Sequence, residues 1–238
     1  MPAIQTARER ARTELTREIK AEAGRQLAAS GASGLSLRAV ARELGMASSA
    51  LYRYFPSRDH LLTALIIDAY NALGDQAEAA DQSVPADHFR ARLYAVCSAV
   101  RTWAIDHPNE YALVYGSPVP GYQAPEDTIV PGSRVALLLL TLLNQAWFAN
   151  ALAPRPESAQ LSAELAEQTK TIADFAGLKL PAADVARGAM VWTQLFGLIS
   201  FEVFGQYANS LDPADAFFHY TVERMADLLG LPAEASQG

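Results

Sequence analysis

The run Ser36–Phe55, SLRAVARELGMASSALYRYF, constrains the fold more than any other part of the chain. Two short apolar-patterned segments meet there at a glycine. For two helices to cross closely, a small residue is wanted where they touch, and Ala41 supplies it. The turn needs a residue free to take positive φ, and Gly45 stands four positions later. Val40, Leu44, Met46, Leu51 and Phe55 are spaced to pin both helices onto a third. What remains on the second helix is small, polar or basic: Ser48, Ser49, Ala50, Tyr52, Arg53 and Tyr54. Such a face fits a DNA major groove, which is about 12 Å wide.

Elsewhere the chain also keeps helical spacing. Ala7, Ala11, Leu15, Ile19, Ala23 and Leu27 recur every fourth residue, which predicts an amphipathic helix over 7–29 with one core stripe. Gly31 and Gly34 end it. Ser36 is placed to cap a helix over 37–44, and a third follows over 48–55. Ser57 is placed to cap a fourth over 57–79, with Asp59 in its first turn. Further helices are expected over 87–106, 108–115, 132–152, 156–176, 182–208 and 213–229. The stretch 116–132 holds four prolines and three glycines and reads as a long loop, long enough to form part of a ligand entrance. No sustained alternation marks a strand. The fold class is therefore all-α.

Charge is divided unevenly. Residues 1–60 hold ten Lys/Arg and six Asp/Glu, whereas the chain as a whole has a net charge of −7. A basic head on an acidic body suits a head that meets a polyanion. The N-terminal residues lack the apolar run of a secretory signal. The apolar stretches 135–143 and 189–201 fall short of the about 18–20 residues of a membrane span, so no membrane partner and a cytoplasmic location are expected.

Residues 13–66, and ALYRYFPSRDHLL above all, resemble the DNA-binding domain of TetR-type transcriptional regulators. The resemblance implies an N-terminal three-helix helix-turn-helix domain over 7–60 and a C-terminal helical ligand-binding and dimerisation domain over 61–232. It implies double-stranded operator DNA, a small-molecule effector and a second copy of the chain as partners. Carried over by position, Arg38, Ser48, Ser49, Ala50 and Arg53 lie on the face that contacts bases. Ser36, Tyr52, Tyr54 and Arg58 lie where phosphates are contacted. The family commonly has lysine where Arg58 stands, and a Ser or Thr cap where this chain has Ala47.

In the body, 103–122 and 192–202 resemble a C-terminal subtype named for a Trp-His-Gly signature, with Phe196 at the histidine position. The helices 182–208 and 213–229 are apolar nearly all round and are expected to form the dimer interface. A ligand pocket is expected among Trp103, Tyr111, Tyr115, Gln145, Trp147, Phe148, Trp192 and Phe196.

Against this stands an enzyme. The four histidines are not arranged as an HExxH pair, and no GxSxG, Walker or GxGxxG pattern occurs. Cys97 lies between apolar neighbours and reads as a small core residue. No catalytic residue, metal or cofactor is expected. The sequence thus points to a ligand-responsive repressor released from its operator by a small apolar or aromatic ligand. An activator or corepressor-type response, or a ligand-binding module with a vestigial DNA head, is the alternative.

Overall fold

The computed structural model describes residues 6–154 and 160–233. Among them are ten α-helices and no strand. The chain forms two compact units. The first comprises residues up to Tyr70 together with His107–Pro131; the second comprises Asn71–Asp106 and the residues from Gly132 onward.

In the first unit, α1 (Ala7–Ser30) opens on a capping box. Thr6 Oγ1 accepts from the Glu9 amide, and the Glu9 carboxylate accepts from the Thr6 amide at 2.8 Å. The helix closes at Gly31, with φ 67°. α2 (Leu37–Glu43) and α3 (Ser48–Leu51) follow. Ile19, Ala23 and Leu27 of α1 meet Leu37, Val40 and Ala41 of α2, Leu51, Phe55, and Leu61, Leu62, Leu65 and Ile66 of α4 (Arg58–Gln82) in one core.

The expected α1 stripe holds only in part. Ile19, Ala23 and Leu27 are buried and Leu15 is partly so, but Ala7 and Ala11 are exposed. The head's core ends at about Leu15, and an alanine has too little apolar surface to draw the two turns before it inward.

α6 (Pro108–Tyr115) joins this same unit, with Pro108 in its first turn, where its missing N–H costs nothing. Tyr111 is fully buried, and Leu113, Val114, Val119 and Tyr122 pack against the head's core. Thr63 and Tyr122 share a hydroxyl hydrogen bond of 2.9 Å, and the Tyr70 hydroxyl donates to the Val114 carbonyl. The stretch read as an entrance loop therefore packs on the head over Val119–Tyr122.

The second unit holds α5 (Phe89–Asp106), α7 (Ile129–Phe148, from Gly132), α8 (Ala163–Ala176), α9 (Ala182–Val203) and α10 (Asp215–Leu229), with the end of α4. Its buried residues include Leu93, Val96 and Val100 of α5, Leu142 and Leu143 of α7, Leu195 and Ile199 of α9, and Met225 of α10. Gly188 lets α9 approach α7: a Cβ there would stand 2.5 Å from Leu140 Cδ2.

Four arginines staple these helices. Arg92, buried on α5, forks onto Asp81 at 2.9 and 2.9 Å and also reaches the Gln145 side chain. Arg101 holds Glu202 and Asp215 and lies 4.7 Å over the Phe218 ring. Arg90 holds Glu223 and Asp227, and Arg134 holds Glu78 and Asp75.

Some helix bounds differ from the sequence reading. α7 begins at Ile129 because Pro131 falls in its first turn, where proline is tolerated. α9 ends at Val203, where Gly205 takes φ 73° and the Gln206 amide caps the Phe201 carbonyl. α8 starts at Ala163, capped by Ser162; residues 156–159 of the expected helix lie outside the described residues. By length and composition the run Glu126–Phe148 is apolar enough to cross a membrane. In the fold its Val135, Leu139, Leu140, Leu142 and Leu143 are buried, and about a third of its most apolar stretch (33%) is buried in all.

Candidate nucleic-acid interface

The turn between α2 and α3 shows how the sequence builds the recognition element. Gly45 takes φ 64°, the Met46 amide donates to the Ala41 carbonyl at 2.8 Å, and the Gly45 amide donates to Arg42. These two bonds form a Schellman closure that satisfies the end of α2 and redirects the chain into α3. Val40, Ala41 and Leu51 are fully buried, so both helices are fixed on α1 and α4. The regular part of α3 ends at Leu51. Amide bonds from Tyr52 to Ser48 and from Phe55 to Leu51 carry the turn on to Phe55.

The residues expected to read bases are presented outward. Arg38, Ser48, Ser49 and Arg53 are exposed and Ala50 is partly so. The N-cap of α3 is Ala47, with no side-chain cap, so the Ser48 hydroxyl is not spent on capping. Among the described residues, neither Arg38 nor Arg53 forms an ion pair.

Of the expected phosphate contacts, Tyr52 is 43% exposed and Tyr54 partly exposed. Ser36 caps α2 by accepting from the Ala39 amide at 3.4 Å, which leaves its own hydrogen to donate. Arg58 is placed differently. Its guanidinium donates to the carbonyls of Leu35 at 3.2 Å and Ala32 at 2.7 Å, and stands 3.6 Å from Asp59. That ties the start of α4 to the turn before α2. Ser57 caps α4 as expected, accepting from the His60 amide.

The expected ligand residues fall into separate groups. Tyr111 and Tyr115 belong to the first unit, with ring centroids 5.2 Å apart. Burial pushes the Tyr115 hydroxyl well above the usual tyrosine range. Trp103, Gln145, Trp147, Phe148, Trp192 and Phe196 belong to the second. There Trp192 and Phe196 pair edge to face at 6.0 Å, and Trp147 and Phe148 at 5.0 Å. Trp103 and Phe196 are buried, Phe148 is exposed, and the Gln145 oxygen accepts from Arg92 at 2.9 Å. Among the described residues the Trp192 indole N–H is buried without an acceptor. An orphaned donor of this kind costs about 1–3 kcal/mol.

On the second unit an open apolar groove of about 420 Å³ runs between α9 and α10. Leu198, Phe201, Tyr207, Phe217 and Tyr220 line it. Met190, Phe201, Phe204 and Tyr220 are large apolar residues left exposed on these two helices and the turn after α9. The sequence named these helices but could not say which residues face out. Among the described residues no group of His, Cys, Asp or Glu gathers as a metal site.

A helix-turn-helix with a polar, arginine-bearing outer face defines a class of DNA-binding protein, and comparison with known proteins makes it narrower. Residues 19–65 match the family described as "Bacterial regulatory proteins, tetR family", and residues 93–225 match "Tetracyclin repressor-like, C-terminal domain". The chain is 40% identical over 215 residues to the HTH-type transcriptional regulator Rv1816 of Mycobacterium tuberculosis, covering 87% of this chain and 89% of that protein. The HTH-type transcriptional regulator Mb1846 of Mycobacterium bovis matches to the same extent: 40% identity, 87% and 89%. Among solved structures, that of the regulatory protein SCO4313 is 34% identical with a TM-score of 0.77, covering 93% of this chain and all of that one (100%). A protein of unknown function from Rhodococcus sp. RHA1 shares the fold at 22% identity and a TM-score of 0.69, covering 97% and 99% of the two chains. The chain belongs to the TetR family. It is a DNA-binding transcriptional regulator and not an enzyme.

Proposed function

We propose that the protein is a cytoplasmic homodimeric repressor that leaves its operator when a small apolar or aromatic ligand binds the second unit. Arg38, Ser48, Ser49, Ala50 and Arg53 read base edges, with Arg38 able to bond guanine in bidentate fashion. Ser36, Tyr52 and Tyr54 donate hydroxyls to phosphates. Arg58 adds positive charge beside them while its fork stays on the Leu35 and Ala32 carbonyls. The observation that carries this reading is the outward face of the helix-turn-helix, where Arg38 and Arg53 stand exposed and, among the described residues, without carboxylate partners.

Two features support the dimer and the ligand. The groove and exposed aromatics of α9 and α10 form an apolar patch of the kind that two copies bury against each other about a two-fold axis. Two recognition elements would then meet successive major grooves roughly 34–36 Å apart. The buried Trp192 N–H beside Phe196 supports an effector that brings a hydrogen-bond acceptor on an apolar, planar frame. Such a ligand weakens DNA binding only by as much as it prefers the arrangement that does not fit the operator.

The test is a release assay. Protein bound to the intergenic DNA upstream of its own gene is titrated with a library of planar apolar compounds, half with a carbonyl acceptor and half without. Release by acceptor-bearing compounds, abolished in Trp192→Phe, supports the reading. Tighter binding on adding the same compounds would make the response that of a corepressor.

A further inference from the structure

The first two turns of α1 do nothing for the core. Ala7 and Ala11 are exposed, and so are Arg8, Arg10 and Arg12 between and beside them. Eight helical residues span about 12 Å, so this is an arm of real length. Its start is nonetheless fixed. The Thr6–Glu9 capping box holds it, and the Thr6 amide and hydroxyl keep the Glu9 carboxyl below its usual range. The Glu9 carboxylate is therefore committed to the helix end, and Glu14, at the arm's far end, pairs with Arg17. Among the described residues no carboxylate pairs with Arg8, Arg10 or Arg12. Farther along the same helix the pattern reverses: Arg17 pairs with Glu14, Lys20 with Asp68 at 2.8 Å and Arg25 with Glu22.

The arm also has a direction. The Arg12 guanidinium lies 5.9 Å from the centre of the Tyr54 ring, within reach of a cation–π contact. Tyr54 closes the α3 turn, so Arg12 stands at the border of the surface that carries Ser48, Ser49 and Arg53. Arg8 is one turn earlier on the same face. Arg10 sits about 200° round the helix from both, on the far side. The helix dipole gives no reason for cations at the start of a helix, since it favours anions there.

We infer that the first two turns of α1 are a DNA-backbone arm, in which Arg8 and Arg12 bind phosphates flanking the bases read by α3. The inference rests on the reading of the α3 surface as the face that meets DNA. Charge complementarity and continuity with that face select duplex phosphate as the occupant. The Tyr54 ring holds the Arg12 guanidinium beside the groove edge, so part of its freedom is already spent before DNA arrives.

Arg10 supplies the internal control, because it has the same charge and lies on the same two turns. Arg8→Ala, Arg12→Ala and Arg10→Ala are each measured against a duplex that the wild-type protein selects from random-sequence DNA, and against an unrelated duplex, across a salt series. The inference predicts that Arg8→Ala and Arg12→Ala each weaken binding about three- to ten-fold on both duplexes, and make the log–log salt slope shallower by about 0.9 per arm. Arg10→Ala should change binding less than two-fold, and all three should keep the wild-type melting temperature. Equal losses for the three variants would mean diffuse charge and would overturn the arm, as would no loss for any. A wild-type protein that bound neither duplex would overturn the reading of the α3 face itself, and the arm with it.

Discussion

The head leaves arginines unpaired and the body does not. In the body every described arginine is turned onto carboxylates: Arg90, Arg92, Arg101, Arg134, Arg187 and Arg224 each form an ion pair. In the head Arg17, Arg25, Arg42 and Arg58 pair with near neighbours in sequence, but Arg8, Arg10, Arg12, Arg38 and Arg53 form no ion pair among the described residues. Acidic residues outnumber basic ones in the chain as a whole, 26 to 19, yet that balance says little about the surface that meets DNA. Eight of the body's carboxylates are spent on its own arginines, and five of the head's arginines are left to offer. A sum over the chain mixes a structural use of charge with a recognition use.

The largest effect expected from breaking this division lies in the body. Arg92→Ala strands the buried Asp81 carboxylate and should cost about 3–5 kcal/mol, read as a lower denaturant midpoint. No head arginine should approach that cost, because none is buried. Next comes the recognition face. Arg38→Ala should cost about 1–3 kcal/mol of discrimination at one base pair while leaving thermal stability unchanged, measured by selection on randomised duplexes. Gly45→Ala forces a Cβ into the left-handed region, at about 1–2 kcal/mol, and should lower stability and DNA affinity together. Phe201→Glu puts a charge in the α9–α10 groove. It should leave the fold intact and yield monomers in sedimentation.

The smallest effect concerns Cys97, whose thiol is fully buried and pushed up to about 12. The folded value lies above the unfolded one. The stability gained by keeping the thiol neutral is therefore whole below about pH 9 and fades as pH rises toward the folded value. Alkylation at pH 8 should proceed only on unfolding. Fast labelling of native protein would show an open path to α5.

Much of the fold was legible in the sequence because it rests on local signals. Gly45, the Ser36 and Ser57 caps, and the four-residue spacing of Ile19, Ala23 and Leu27 each act within a few residues. What was not legible are placements decided at long range. Ala7 and Ala11 keep the spacing of a buried stripe, but only the extent of the head's core decides whether the stripe is covered. Arg58 has the charge and place of a phosphate contact, and only the fold shows that its donors face the Ala32 and Leu35 carbonyls. The aromatics of the expected pocket share a composition but not a compact unit. Nothing in the local sequence of Tyr111 says that it packs with the head and Trp192 with the body.

The division of labour is tested most directly by the salt dependence of duplex binding, compared between head and body cations. Wild-type protein should lose affinity steeply with salt. Removing Arg8 or Arg12 should flatten the slope by about 0.9 for each phosphate that the side chain neutralises per subunit, and Lys170→Ala, exposed on α8 of the body and away from the α9–α10 groove, should leave it unchanged. A flat wild-type slope, or equal flattening by Lys170→Ala, would contradict the separate roles of head and body.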